Sequence, residues 1–305
     1  MANFIARRLG LAVLVMLTIS FLSFIMLKMS GDLAISMAGE GSGADYVEFL
    51  RKTYGWDKPL VVQYWNWLLN ALSGDIGTSF YYGSPVTTLI AERMPATLAL
   101  GAMAIVMALV VAIPLGMSAG RHQGKFVDRI ALFIALLGVS TPIFWLSFVL
   151  ILWLGLQWAI LPISGGGSVR HLLMPAMALA FYSMPAIIRI SRAGMIDVMR
   201  SDYIRTARAK GLRPRQIYLR HALRNTLVPV VAVASVQFGF LLGGSVVVEN
   251  IFAVHGIGYL TWEAINQNDY PVVQAALLTV SAAYVVLTLL ADVVNVMIDP
   301  RIRLN

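Results

Sequence analysis

The stretch Ala96–Ala119 reads ATLALGAMAIVMALVVAIPLGMSA, without one Asp, Glu, Lys or Arg. About 20 consecutive apolar residues in a helix cross the ~30 Å hydrocarbon core of a bilayer. This stretch is long enough to do so. It lacks the polar face that a helix at the surface of a soluble domain presents to water.

Five more apolar segments lie on either side of it: Leu9–Leu27, Ile130–Leu156, Leu172–Ile188, Leu227–Phe252 and Pro271–Ile298. Leu172–Ile188 is short and carries Pro175 and Pro185, and Pro114 and Pro142 fall in two others. Proline is tolerated in a span where neighbouring helices satisfy the freed backbone groups. The 305 residues are 59% hydrophobic and only 12% charged, against about 25% charged in soluble domains. The fold expected is therefore an all-α polytopic membrane protein with six transmembrane helices. The chain has no cysteine, which excludes disulfides and thiolate metal sites. Arg7 and Arg8 precede an apolar run too long for a cleaved leader, so the first segment is expected to stay as a span.

Charge orients the spans. One side gathers Arg7 and Arg8, then Arg121, Lys125 and Arg129, then the ten basic residues from Arg189 to Arg224, then Arg301 and Arg303. The other side holds Lys28, Arg51, Lys52, Lys58, Arg93 and Arg170. Positive charge accumulates on cytoplasmic loops, so both termini are expected in the cytoplasm. The net charge of +8 is read as this topology signal and not as a nucleic-acid surface. The chain divides into three expected parts: residues 1–29, the N-terminal tip and first span; 30–95, an external elaboration; and 96–305, a five-helix core with a cytoplasmic loop at 194–224.

The external part opens with the glycine-rich Gly39–Gly43 stretch, expected as a flexible loop. Then Leu60, Tyr64, Leu68 and Leu72 recur at helical spacing. Short helices at the membrane–water boundary fit that pattern, whether as an anchor or as a seat for an external partner.

The long cytoplasmic loop is the most informative. Ile196, Met199, Tyr203 and Ala207 share one face of a helix, and Gly211 and Pro214 stop it. The residues alone leave two readings open: docking in a partner's groove through small residues at Ala207 and Gly211, or a basic loop touching solvent and lipid. Within the spans, Ser235, Gly239 and Gly243 lie four apart, as do Gly116 and Gly120. Such faces permit close helix contact, as static packing or as a moving interface, with Gly243 and Gly244 near a gate. Gln237 and Gln274 either line a polar path or bond across helices. Lys28 and Asp292 sit near span ends, where they stay hydrated.

No catalytic or metal residue is expected. His122, His171, His221 and His255 are scattered and make no metal spacing. There is no phosphate-cradling G-x-x-x-x-G-K-[ST] sequence; Gly120–Phe126 is one residue short and lacks the hydroxyl. No cofactor is therefore assigned to this chain.

Arg205-Thr206-Ala207-Arg208-Ala209-Lys210-Gly211-Leu212, followed by His221-Ala222-Leu223-Arg224, resembles the EAA loop of ATP-binding-cassette (ABC) importer permeases. In that family an EAA triplet precedes a glycine by three residues, and Ile-x-Leu-Pro follows. Here Arg205 and Thr206 replace Glu and the first Ala, and His221 and Arg224 replace Ile and Pro, a version similar to the dipeptide, oligopeptide and nickel branch. Arg7-Arg8-Leu9, Ser30-Gly31-Asp32, Gly74–Ser79, Glu92–Thr97, Gly243–Glu249, Asp269–Gln274 and Asp299–Arg303 resemble other motifs of that branch.

The resemblance implies a type I importer permease that works by alternating access. Its partners would be a second homologous permease, two ABC ATPase subunits that hold ATP and Mg, an external substrate-binding protein and membrane lipid, with no nucleic acid. The ATPase-coupling helix would carry Ile196, Met199, Tyr203, Arg205, Ala207, Gly211 and Leu212. Gln237, Gly239, Gly243 and Gly244 are the candidates for the pathway or gate. Dipeptides or oligopeptides are the expected substrates, with nickel chelates, glutathione or another small solute as the alternative. A stand-alone channel or secondary carrier is the rival from a different class.

Overall fold

A computed structural model describes residues 2–39 and 41–298, with side chains from 7 to 29, 31 to 39 and 41 to 290. Glu40, the Asp292 side chain and the Asp299–Arg303 motif lie outside the described residues.

The described residues are mostly helical, joined by turns and loops, with a single bridge between Thr78 and Pro85 as their one piece of β pairing. In order the helices are α1 (Ala2–Ser30), α2 (Leu33–Ala38), α3 (Ala44–Thr53), α4 (Leu60–Leu72), α5 (Val86–Arg121), α6 (Phe126–Ser140) and α7 (Ile143–Leu150). There follow α8 (Val169–Arg200), α9 (Asp202–Ala209), α10 (Pro214–Gln216), α11 (Leu223–Ile251), α12 (Ile257–Asn266) and α13 (Tyr270–Ile298). Wider π-helical turns at Ile151–Gln157 and Ile217–Ala222 extend α7 and join α10 to α11.

Among the described residues, five helical stretches are long and apolar enough to cross a membrane: Arg7–Met29, Val86–Arg121, Val169–Arg200, Pro214–Ile251 and Tyr270–Leu290. The expected third span is not one straight helix. Phe126–Ser140 and Ile143–Gln157 meet at a 102° bend and give a sixth crossing only if the pair counts as one. The bend follows from Pro142, which disfavours helical geometry at the residue before it. Thr141 is extended at φ −86°, ψ 119°, and Pro142 at ψ 132°. Pro175, Pro185 and Pro229 remain inside α8 and α11.

The chain forms two units. The first comprises Met1–Thr97 and His255–Val285. Its apolar core joins Val86, Leu89 and Ile90 of α5 to Ile257 and Leu260 of α12 and to Val272, Ala275 and Ala276 of α13. Thr97 Oγ1 accepts a 2.8 Å bond from Ile257 N, satisfying a first-turn donor of α12. The expected helix over Leu60–Leu72 is present as α4, but Leu60 and Leu72 face outward. Its contact with α1 runs instead through Tyr64, whose hydroxyl lies 2.8 Å from Ser20 Oγ, and through the ring packing of Tyr64 and Trp67 on Phe24. The glycine-rich stretch turns from α2 to α3 with Gly39 and Gly41 at φ 84° and 87°, a region glycine enters without steric cost. Asp32 caps α2 and pairs with Arg51 of α3 at 2.5 Å. Burial works to raise the Asp32 carboxyl, but the Arg51 hydrogen bond and backbone donors hold it below the ordinary carboxylate range.

The second unit comprises Leu98–Val254 and Val286–Asn305. Its core is built largely from alanines: Ala108, Ala112 and Ala119 of α5, Ala131 and Ala135 of α6, packed with Ile187 and Ile188 of α8. Small side chains let helix backbones approach. A Cβ on Gly116 would stand 2.5 Å from the Ile188 carbonyl oxygen, and one on Gly120 2.6 Å from that of Arg192. Gly138 of α6 likewise sits against Pro185, with 2.6 Å to its Cγ from a Cβ placed there.

Candidate functional site

The sequence pattern places one helix over Ile196–Gly211. The chain instead breaks at Ser201, so Ile196 and Met199 end α8 while Tyr203, Arg205 and Ala207 belong to α9. Ser201 is extended at φ −71°, ψ 152°, and its hydroxyl donates back to the Val198 carbonyl at 2.6 Å. Asp202 then opens the new helix, where a carboxylate favours the positive end of the dipole. Gly211 ends it at φ 74°, as expected of a C-terminal glycine, and Leu212 follows it, exposed.

The α9 helix packs inward through Ile204 and Ala207, which meet Ile217 of the π-helical turn, with Val198 and Met199 of α8 beside them. Ala207 is only 7% exposed. It is therefore a contact inside the chain and not the projecting tip that its small size suggests. The outward surface consists of Asp202, Tyr203, Arg205, Thr206, Arg208, Ala209, Lys210, Gly211 and Leu212. Arg205 pairs with Asp202 on the helix surface. The Tyr203 hydroxyl accepts from Asn225 Nδ2 at 2.8 Å, tying α9 to α11. A short, mostly basic segment is thus held against the end of α8 and, through Tyr203 and Asn225, against the start of α11.

A second brace escaped the sequence reading, where Arg192 counts only as a topology charge. Asp128 of α6 is 3% exposed and accepts from Arg192 Nε at 2.6 Å and Nη2 at 2.8 Å. The same carboxylate accepts from Gly124 N at 2.8 Å. This forked pair holds the turn after α5 against α8 two helical turns before the Ser201 break. Its signal in the sequence is a lone carboxylate at the start of an apolar helix.

The pathway candidates on α11 separate. Gly239 is buried, while Gly243 and Gly244 are exposed and a Cβ on either would meet nothing within 4 Å. The four-residue row beginning at Ser235 therefore does not stay on one packed face. The Gln237 amide lies 3.5 Å from the Ser183 carbonyl. The Gly116 and Gly120 row does pack, on α8.

In the first unit the structure joins two motifs far apart in sequence. Asp269 is fully buried and accepts from the Ser79 hydroxyl, from Phe80 N at 3.1 Å and from Tyr81 N at 3.3 Å. Ser79 Oγ in turn accepts from Tyr82 N at 2.8 Å. Tyr82 donates to the Glu263 carboxylate, and burial with that bond raises the phenol above its usual range. The segment from Gly74 to Pro85 is thus clasped to the residue that precedes α13.

Residues 112–304 match the family described as binding-protein-dependent transport system inner membrane component. Residues 1–101 match the N-terminal region of such membrane components. A putative peptide transport system permease protein of Brucella abortus strain 2308 is 38% identical over 312 residues, covering 99% of each chain. A probable peptide ABC transporter permease protein of Sinorhizobium fredii is 35% identical over 99% of this chain and 100% of its own. The glutathione transport system permease protein GsiC of Escherichia coli K12 is 36% identical over 99% of each chain. Among solved structures, the MetNI methionine ABC transporter in an inward-facing conformation matches at a TM-score of 0.59. That match has 18% identity over 69% of this chain and 96% of the other, and shows the fold. The chain belongs to the family of binding-protein-dependent transport system inner membrane components, as an ABC importer permease of the peptide branch.

Proposed function

We propose that this chain forms part of the path by which an inner-membrane importer takes up dipeptides or oligopeptides, and that α9 with the turn after it receives the stroke of an ATPase subunit. The observation that carries the reading is the bracing of α9. Its outward face is mostly basic, while Ile204 and Ala207 lock its inward face to the end of α8 through Met199 and to the π-helical turn before α11 through Ile217. A rigid lever of this kind turns a push on a surface loop into movement of two spans.

Both termini and the 201–213 segment lie on the cytoplasmic side, as the distribution of Lys and Arg supports. The remaining parts are separate chains: a second homologous permease, two ATPases that bind ATP and Mg, and an external binding protein that delivers the substrate. ATPase closure and reopening rock the spans between outward and inward access.

The test is uptake of a labelled tripeptide into vesicles carrying the whole assembly. Gly211→Glu places a bulky acid at a position of positive φ on the outward face. It should lower uptake at least tenfold while leaving membrane insertion intact; normal uptake would overturn the coupling role. The GsiC relative favours glutathione as the second substrate to assay.

A further inference from the structure

Helix α4, in the first unit, has an apolar side that no described residue covers. None of its 13 residues is charged. Val61, Trp65 and Leu69 recur every four residues, and Val62 and Leu72 widen that row into a stripe about 100° across. All five are exposed, Val61 at 76% and Leu72 at 77%. The remaining sides of the helix are occupied. Tyr64 and Trp67 pack on Phe24 of α1, while Gln63, Asn66 and Asn70 line a cavity inside the unit.

The depth of the contact with α1 decides what lies against the stripe. α1 crosses the membrane over Arg7–Met29. At about 1.5 Å per residue, Phe24 lies about 8 Å inside Met29 and Ser20 about 14 Å inside it. Half of the hydrocarbon core is about 15 Å thick. The Tyr64 hydroxyl meets Ser20 Oγ at 2.8 Å, and the Tyr64 ring stands 5.2 Å from that of Phe21. α4 is therefore fastened to α1 within the hydrocarbon layer. Leu22 and Met26 of α1, in the same stretch of the span, are exposed as well. Groups that favour a membrane boundary stand nearer the end of α1: Tyr54 stacks on Trp56, and Lys28 Nζ lies 5.4 Å from the Trp56 ring centroid. Asp57 and Lys58 precede α4 and Asp75 follows it, so charge flanks the helix on both sides and is absent between.

We propose that α4 is an interfacial helix embedded in the lipid leaflet that surrounds the Met29 end of α1. It lies along the membrane plane, with Val61, Val62, Trp65, Leu69 and Leu72 among acyl chains. Helices of this kind bury their apolar face about 5–10 Å deep, which matches the depth of Phe24. A contiguous exposed apolar patch marks either a protein partner or a membrane, and here the depth selects lipid. α4 then forms a wall, with acyl chains on one side and the cavity on the other. The proposal rests on α1 being a membrane span and is independent of the import reading and its substrate.

The chain has no cysteine, so single cysteines report on one position each. Val61→Cys, Leu69→Cys and, on the charged helix α3, the exposed Lys52→Cys are each labelled with a nitroxide. The full chain is then reconstituted in vesicles of phosphatidylethanolamine and phosphatidylglycerol. Oxygen concentrates among acyl chains, whereas a nickel chelate stays in water. The ratio of oxygen to nickel collisions should be at least fivefold higher at Val61 and Leu69 than at Lys52. An equal ratio places the stripe in water, open to a soluble partner, and overturns the proposal. Exclusion of both reagents from the stripe overturns it too, because protein, such as a second copy of the chain, then covers that face. Brominated phosphatidylcholine gives a reading without labels. Its quenching of the tryptophan fluorescence of the unaltered protein should include a component that is lost in Trp65→Phe, which keeps the stripe apolar. Identical fractional quenching of the two proteins would count against lipid at Trp65.

Discussion

At Asp269 one buried carboxylate satisfies a hydroxyl and two backbone N–H groups from a segment 190 residues earlier in the chain. Leaving buried donors unpaired costs about 1–3 kcal/mol each. Asp269→Ala should therefore release the 79–82 segment, and chymotrypsin should cut after Tyr81 or Tyr82 at least fivefold faster in detergent. Ser79→Ala, which leaves both backbone bonds in place, should show a smaller increase. The pairing was not legible in the sequence. Asp269-Tyr270-Pro271 and Gly77-Thr78-Ser79 stood out there as separate family motifs, and no local periodicity links residues so far apart. The Gly116 and Gly120 pair was legible, because four-residue spacing of glycines is itself a contact signal. Gly243, which continues the four-residue spacing on α11, is exposed in this chain.

Among the elements, the helix over 196–211 illustrates how periodicity can mislead. Ile196, Met199, Tyr203 and Ala207 keep helical spacing across Ser201, yet the hydroxyl of Ser201 competes for the local backbone and the axis breaks there. Ser-Asp is also a helix-start signal, and it outranked the apolar spacing. The bend at Pro142 and the intact α8 around Pro185 differ for a related reason. Gly138 lets α6 rest directly on Pro185, so a neighbour supports that proline inside its helix. The brace between α6 and α8 gives a second expectation. Asp128→Asn, or Arg192→Met alone, strands a buried polar or charged group, and breaking such a pair typically costs about 3–5 kcal/mol. Each single variant should lower the melting midpoint in detergent. The double replacement Asp128→Leu with Arg192→Leu should recover most of that loss, because no uncompensated charge remains. A double variant as unstable as the sum of the two singles would show that the two residues act independently.

For the molecule as a whole, composition and charge identified the class, and the described structure agrees with it: five membrane-length helices, or six with the bent pair. The grouping of His255–Val285 with Met1–Thr97 was beyond the reach of a sequence pattern. It depends on Ile257 and Val272 finding Val86 and Ile90, and any apolar helix could have offered such a face. Mass spectrometry of proteins that co-purify with the tagged chain should recover a second permease and P-loop ATPases. Replacing the exposed Arg208 and Lys210 by Glu should deplete the ATPases from the eluate by at least fivefold, while the second permease remains. Equal recovery from both forms would move the ATPase contact away from the α9 surface.

The close approach of α5 and α8 also constrains how this gene can change. Glycine has no smaller replacement, and any base change that puts another residue in its place installs at least a Cβ atom. At Gly116 and Gly120 even that atom would lie about 2.5 Å from a carbonyl oxygen on the neighbouring helix. Neither position can drift by small steps, and a lineage that lost one glycine would have to shift the facing helix in the same stroke. A saturation library grown under selection for uptake should therefore return glycine at both codons.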